Sequence, residues 1–238
     1  MMSLRDPLKF PTLDFEQDLW NGGFSRIAGI DEAGRGAWAG PVYAAAVILP
    51  ADPSLTRTLE RVRDSKLMTP LARETWAPRI QASALAWGVG FASQQEIDAL
   101  GIIPATKMAA TRALLFLSSH PLPPDYLLSA PLSPDPLSLE YLIPSRLSPD
   151  YLLTDYLVFP NIELPQTALI KGDRLSLSVA AASVLAKTSR DARMRELDGK
   201  YPGYGFARHK GYGTRLHREA IQRLGLCEIH RKSFSISF

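Results

Sequence analysis

The chain has 238 residues, room for one large domain or a domain with a C-terminal extension, and its 46% hydrophobic and 21% charged residues suit a soluble protein with a sizeable core. Its single cysteine, Cys227, excludes an intrachain disulfide and a cysteine-built zinc site, and no run is apolar enough to span a membrane. The formal charge is only +3, yet residues 171–238 hold 14 Lys/Arg against 6 Asp/Glu while residues 1–170 hold 13 against 18. This asymmetry points to a polyanion partner for the C-terminal third, although a solvated helix face gives the same count.

The N-terminal stretch MMSLRDPLKFPTLDFEQDLW carries charges throughout and lacks the apolar core of a signal peptide. With the lone cysteine, this points to a reducing, cytoplasmic setting. Residues 12–26 read as an amphipathic helix with Thr12 or Asp14 as N-cap. Ile27–Ile30 and Val42–Leu49 read as strands of a hairpin around a glycine loop. Residues 70–86 read as helix and 87–93 as strand. Residues 94–118 read as two helical pieces broken near Gly101 and Pro104.

Residues 121–165 hold 10 of the 19 prolines and three near-repeats, PPDYLLSA (123–130), SLEYLIPS (138–145) and SPDYLLTD (148–155). The irregular period is too short for a solenoid, so the stretch reads as a local duplication inserted beside one true strand. The third copy, Asp150–Asp155, ends in a carboxylate that the others lack and is taken as that strand. Residues 176–198 are the clearest helix, with Ser176 as N-cap. A Gly/Tyr-rich loop (199–215), a short helix (215–225) and a basic tail, HRKSF, complete the chain.

Asp31 and Glu32 close an apolar run just before a loop with glycines at 34, 36 and 40 and one cation, Arg35. Asp155 ends a second strand, and Asp173 precedes the long helix. Acids at the ends of neighbouring strands and a helix start can meet at one sheet edge, where hard cations take oxygen ligands and two-metal phosphoryl hydrolysis becomes possible. Successive strand residues point to opposite faces, so Asp31 and Glu32 can both reach one site only if the strand ends or bulges there. Asp173 alone also fits a helix-leading acid on the dipole, and Asp155 alone a strand-end acid in a turn.

The segments IAGIDEAGRGAWAGPVYAAAVILP (27–50), RDSKLMTP (63–70), DYLLTD (150–155), KGDRLSLSVAAASVLAKTSRDARM (171–194), YGFARHKGYGT (204–214) and HRKSF (230–234) resemble the ribonuclease HII family in order and content. The resemblance spans nearly everything except 119–149. It implies an α/β ribonuclease H-like fold, a mixed central β-sheet flanked by helices with a helical C-terminal extension. The catalytic domain would be residues 1–198, carrying the Pro-rich insertion at about 119–149, with residues 199–238 a substrate-binding loop and helical extension of the same globular unit. The implied activity is hydrolysis of RNA in RNA–DNA hybrids and cleavage 5′ of ribonucleotides embedded in duplex DNA, leaving 3′-hydroxyl and 5′-phosphate ends. The implied cofactors are two divalent cations, Mn²⁺ or Mg²⁺, on Asp31, Glu32, Asp155 and Asp173.

The family's Gly-Arg-Gly loop falls on Gly34, Arg35 and Gly36, where the backbone would contact the ribose 2′-hydroxyl, the group that separates RNA from DNA. Its junction-sensing tyrosine falls on Tyr212, whose ring would stack on the next, deoxy sugar. Lys187 and Arg190, one turn apart, are candidate phosphate contacts. Two departures stand out. Tyr156 and Leu157 follow the third acid where the family commonly has Gly-Asn, and Ala37 replaces the usual proline. Asp150 is a fallback ligand. The sister family, ribonuclease HIII, carries an extra N-terminal domain for which the 30 residues before Asp31 are too few. The alternatives are a catalytically impaired RNA–DNA hybrid-binding protein, its site broken by the insertion, and a general two-metal DNA nuclease.

Overall fold

In the computed structural model, which describes residues 10–117 and 148–236, the first three strands form an antiparallel meander. They are β1 (Ile27–Ala33), β2 (Val42–Ile48) and β3 (Ala86–Ala92). On the other side of β1, β4 (Tyr151–Asp155) and then β5 (Gln166–Leu169) add in parallel, giving the order β3-β2-β1-β4-β5. A parallel pair buried on both faces needs near-continuous apolar sequence, which Ile27–Ile30 and Leu152–Leu153 supply. The third near-repeat is therefore the one that forms the strand. The copies at 123–130 and 138–145, and most of the Pro-rich insertion, lie outside the described residues.

Among the described residues, the helices before the insertion are α1 (Asp14–Asn21), α2 (Leu55–Thr58), α3 (Pro70–Ser83), α4 (Gln94–Leu100) and α5 (Ile102–Leu115). After β5 come α6 (Gly172–Leu175), the 24-residue α7 (Leu177–Lys200), α8 (Phe206–His209) and α9 (Arg215–Leu224). One sheet face buries Ala45, Val47 and Val89 against Trp76 and Ile80 of α3 and Ala181, Val184 and Leu185 of α7. The other buries Ala28, Ile30, Ala44, Ala46 and Ile48 against Ala105, Ala109 and Ala113 of α5. Small residues let both helices come close. At Gly29 of β1 a Cβ would lie 2.3 Å from the Ser178 backbone carbon, so only glycine admits α7 at this distance. A third cluster of Ala39, Met194, Phe206, Ile221 and Ile229 joins the C-terminal segment to α7.

Several boundaries differ from the sequence reading for local reasons. The first helix is shorter than 12–26: it starts at Asp14 with Leu13 as N-cap, and Thr12 Oγ1 accepts from the Asp14 N–H at 3.3 Å. Neither Thr12 nor Asp14 is the cap. The break after α4 lies at Gly101 alone, whose φ of +84° ends the helix, while Pro104 sits inside the first turn of α5, where it removes no helical bond. Ser176 does cap α7, its Oγ accepting from the Val179 N–H at 3.2 Å. A buried acid that the sequence reading did not single out, Glu16, supports the same helix start. Its Oε1 accepts from the Ser178 N–H at 2.9 Å and from the Ser176 and Ser178 hydroxyls at 2.6 and 2.7 Å.

Tyr156, directly after Asp155, has φ +64° and an exposed ring. A left-handed backbone costs a side-chain-bearing residue about 1–2 kcal/mol, while glycine adds about 0.5–1 kcal/mol of unfolded-state entropy. Tyr156→Gly is expected to raise stability by about 0.5–1 kcal/mol in urea unfolding. A lowered midpoint would show that the tyrosine ring contributes more than the strain it imposes.

Candidate active site

β1 does not end at Ile30. It runs through both acids in regular register, with Asp31 opposite Ala45, Glu32 opposite Ala44 and Ala33 opposite Tyr43. Alternation therefore separates the two carboxylates. Asp31 takes the same face as Gly29, under α7. Glu32 takes the opposite face, where its Oε1 accepts from Arg35 Nη1 at 3.2 Å.

The parallel register of β1 with β4 pairs Ile30 with Thr154, which brings Asp155 up beside Asp31. After β5 the chain turns at Lys171, φ +60°, and the Gly172 N–H donates to Asp155 Oδ1 at 2.8 Å. That turn delivers Asp173. Asp31, Asp155 and Asp173 each offer a carboxylate oxygen within 4.8 Å of the others. Glu32 stands outside this triad, and its Oε2 is buried with no hydrogen-bond partner among the described residues. Asp150, the fallback ligand, is tied instead to the Ser25 and Arg26 N–H groups at 2.9 and 2.8 Å.

The electrostatics follow from crowding acids in a low-dielectric site. Burial, then Glu32, Asp155 and Asp173, push the Asp31 carboxyl well above the usual carboxylate range, against the nearby Ser183 hydroxyl. Burial, then Asp64 and Asp155, push Asp173 up to about 6, against Lys66. Burial raises Glu32 too, opposed by Arg35. Crowded acids of this kind resist full ionisation, and a bound cation would relieve it.

Two elements beside the triad went unassigned in the sequence, although the RDSKLMTP motif contains them. Asp64 is buried, its Oδ1 accepts from the Lys66 N–H at 2.9 Å, and it pairs with Arg174 at 3.3 Å. The Ser183 hydroxyl of α7 donates to Ser65 Oγ at 2.9 Å, pinning this turn to the helix. Burial disfavours the Lys66 charge, but Asp31, Asp64, Asp173 and Glu32 outweigh it and hold the ammonium protonated above its ordinary range.

A groove of ≈ 610 Å³ opens beside these acids, lined in part by Glu32, Gly34, Arg35, Gly36, Lys66 and Tyr212. Its floor is the loop between β1 and β2. Gly34 has φ +99°, and a Cβ there would lie 1.9 Å from Arg190 Nε, so this glycine is required from beneath by a guanidinium. Gly36 is exposed, and a Cβ there would meet no protein atom within 4 Å. It lines the groove, so its missing side chain leaves open space there.

Arg190 corrects one expectation. As a phosphate contact it would face solvent, yet it is fully buried, and it donates to the Pro41 and Ala39 carbonyls at 2.9 and 3.3 Å. Its guanidinium lies 5.2 Å from the Tyr212 ring centroid, and the Lys187 ammonium lies 5.5 Å from it. Lys187 itself is partly buried and bonded to Asp191 at 2.7 Å.

The basic tail is corrected likewise. Arg231 is fully buried, donating through Nη2 to the Gly34 carbonyl, Nη1 to the Arg35 carbonyl and Nε to the Gly40 carbonyl, at 2.8, 2.8 and 2.9 Å. Burial and Arg190 push it down to about 9. Two of the cations counted toward a polyanion surface therefore hold loop carbonyls. A lone sequence gives no sign of this, because buried and exposed arginines read alike.

Comparison with known proteins agrees with this geometry. The family model described as Ribonuclease HII matches residues 28–237. The ribonuclease HII of Chloroflexus aurantiacus is 45% identical over 225 residues, covering 94% of this chain and 93% of its own. That of Dehalococcoides mccartyi is 44% identical over 221 residues, covering 92% and 90%. Among solved structures, the ribonuclease H2 of Pyrococcus horikoshii OT3 superposes with a TM-score of 0.64 at 23% identity, covering 89% of this chain and 94% of that one. That likeness bears on the fold alone, a mixed five-stranded sheet flanked by helices.

Proposed function

The chain belongs to the ribonuclease HII family, and from that premise we propose that Asp31, Asp155 and Asp173, with Glu32 beside them, hold divalent cations, Mn²⁺ or Mg²⁺, at the phosphodiester 5′ of a ribonucleotide. Membership makes it an endoribonuclease acting on RNA–DNA hybrids. The finer reading is cleavage 5′ of single ribonucleotides embedded in duplex DNA, leaving 3′-hydroxyl and 5′-phosphate ends, as in removal of ribonucleotides from DNA in the cytoplasm. The observation that carries it is one place: three carboxylates within 4.8 Å of one another beside a groove floored by the Gly34–Gly36 loop.

The donor set fits a hard cation: oxygen only, with Asp31 and Asp173 raised toward the neutral form by burial and then by neighbouring acids, and with the buried Glu32 Oε2 unpartnered among the described residues. Bound there, divalent cations would activate water and stabilise the leaving oxygen. The protein's own groups do the rest. The Asp155 carboxylate is held in place by the Gly172 N–H. The exposed backbone at Gly36 meets the ribose 2′-hydroxyl, with no Cβ to hold the sugar off. The Tyr212 ring stacks on the following sugar, supported from behind by Arg190 and Lys187. Lys66, on the groove wall, faces the phosphate.

The test is a labelled duplex with one ribonucleotide, beside the same duplex with that sugar as 2′-deoxy. Only the first is expected to be cut, and polymerase extension of the upstream product reports its 3′-hydroxyl. Cleavage of both would make this a general DNA nuclease. Tyr212→Ala is expected to lower cleavage at the single ribonucleotide about tenfold more than along a continuous hybrid, the worth of one lost stacking contact. Equal losses on both would refute its junction role.

Metal binding also carries a pH signature. Carboxyl groups raised in the folded protein, Asp173 to about 6, hold protons that a cation must displace. Apparent metal affinity, read by calorimetry, is therefore expected to rise as pH increases through about 6. At 100 times Kd the cation should add about 2.7 kcal/mol of stability. Affinity that is flat from pH 5 to 8 would show that the ions bind elsewhere.

A further inference from the structure

Three buried histidines lie behind the Tyr212 loop, where the reading above assigns no chemistry. His217 Nδ1 is 3.1 Å from the Tyr212 carbonyl, so this nitrogen carries the proton and donates. His217 Nε2 is 3.1 Å from His230 Nε2. In a neutral His217 that nitrogen can only accept, so His230 donates from Nε2. His230 Nδ1 must then accept, and the Cys227 N–H, at 2.9 Å, donates to it. His209 is fixed separately. Its Nε2–H donates to the Tyr204 carbonyl at 2.8 Å, and its Nδ1 accepts from the Gly211 N–H at 3.2 Å. It stacks on His217 at 4.3 Å between centroids. Burial lowers the pKa of all three rings, so the neutral forms this pattern needs are the favoured ones.

The relay ends where the two loops of the groove meet. The Gly211 carbonyl accepts from the Trp38 N–H at 2.8 Å, and Ala39 pairs with His230 as an antiparallel bridge. We infer that His217 and His230 are positioning residues for ribonucleotide recognition, an imidazole relay from the Cys227 N–H to the Tyr212 carbonyl that fixes the Tyr212 loop against the Gly34–Gly40 loop. The inference rests on the junction role given above to Tyr212. It assigns these histidines no proton transfer to substrate, because both rings are buried and their nitrogens are engaged within the protein.

Two substitutions divide the relay at one ring. His217→Asn places an amide where Nδ1 stood and keeps the bond to Tyr212, whereas His217→Gln reaches toward His230 and abandons it. The readouts are amide hydrogen exchange over residues 209–214 and the ratio of kcat/KM for a single embedded ribonucleotide to that for a continuous hybrid. His217→Gln is expected to speed exchange at Gly211 and Tyr212, and to lower the ratio, each about tenfold, the worth of one hydrogen bond. His217→Asn should restore both most of the way, and His230→Gln, which keeps a donor toward His217, should fall between them.

Equal losses on both substrates in His217→Gln would reduce the relay to a structural element and overturn the inference. So would exchange unchanged from the parent, or a ratio unchanged in His217→Gln while Tyr212→Ala lowers it. If Tyr212→Ala itself leaves the ratio unaltered, the junction reading falls. The exchange rates then decide the relay alone, supporting it if they rise and overturning it if they do not.

Discussion

Asp31→Asn is expected to lower cleavage about 10³-fold or more while leaving the protein at least as stable as the parent, since a ligand charge worth several kcal/mol to the transition state disappears with almost no change in volume. The stability half of this expectation runs against the usual cost of altering a buried residue. The Asp31 carboxyl is buried, repelled by Glu32, Asp155 and Asp173, and raised well above its ordinary range. For an acid raised in this way the folded state binds the proton more tightly than the unfolded state. Charging it therefore destabilises the fold as pH climbs from the unfolded value, near 4, through the folded one. Asparagine removes that charge and can still accept the Glu32 N–H that now bonds Asp31 Oδ1 at 2.7 Å. In chelator the variant should melt higher than the parent at neutral pH, with the difference vanishing below about pH 4. With divalent metal the order should reverse, because only the parent is stabilised by the ion. Thermal melts with and without metal check both halves. A variant that melts far below the parent in chelator would show that Asp31 holds the fold together and that lost cleavage says nothing about metal.

Arg231→Met is expected to be strongly destabilising, because the side chain is fully buried. The change strips three bonds from the carbonyls of Gly34, Arg35 and Gly40, of which Gly34 keeps the Ala37 N–H at 3.3 Å and Arg35 is only partly buried. Each unsatisfied buried carbonyl costs about 1–3 kcal/mol, so a loss of about 3–5 kcal/mol in urea unfolding is expected, because part of the loop can relax toward water. Arg231→Lys keeps the charge but cannot span three acceptors with one ammonium. It should fold, with cleavage at embedded ribonucleotides reduced about 10²-fold as the loop loses its fixed shape. The sequence reading of HRKSF as a basic tail predicts something else: unchanged stability and a shallower salt dependence of substrate binding. Stability within about 0.5 kcal/mol of the parent in Arg231→Met would favour that reading and end the account of a buried clamp.

The two loops that border the groove show how far one sequence reaches. The acids Asp31, Asp155 and Asp173 were legible because strand ends and a helix start follow from apolar periodicity and a cap at Ser176, and the topology then brings them together. The choice of the third near-repeat was legible for the same reason, an acid closing an apolar run. The position of Glu32 was not. Reading Ile27–Ile30 as the whole strand implied an end or bulge that would bring both acids to one face, whereas pairing with β2 carries the strand on to Ala33. Backbone pairing partners are a tertiary property that local composition does not encode. The buried arginines were the least legible. Arg190 and Arg231 raise the C-terminal charge count like any surface cation, and only the carbonyls of residues 34–41, about 150–200 positions away in sequence, reveal their use. The Gly34–Gly36 backbone was expected to contact the ribose, but a Cβ at Gly34 would strike Arg190, so the need for glycine there comes from inside the protein. At Gly36 a Cβ would meet no protein atom within 4 Å, so no packing requires glycine there.

The most direct test of the account is the metal dependence of cleavage by the parent and by Asp155→Asn, on a 5′-labelled duplex carrying one ribonucleotide, with Mg²⁺, Mn²⁺ or chelator. The account predicts a single product ending 5′ of the ribonucleotide in the parent with either metal. It predicts none in chelator, and a loss of about 10³-fold in Asp155→Asn with melting unchanged or raised. Undiminished cleavage by Asp155→Asn, or cleavage that persists in chelator, would contradict the claim that these carboxylates hold the catalytic cations.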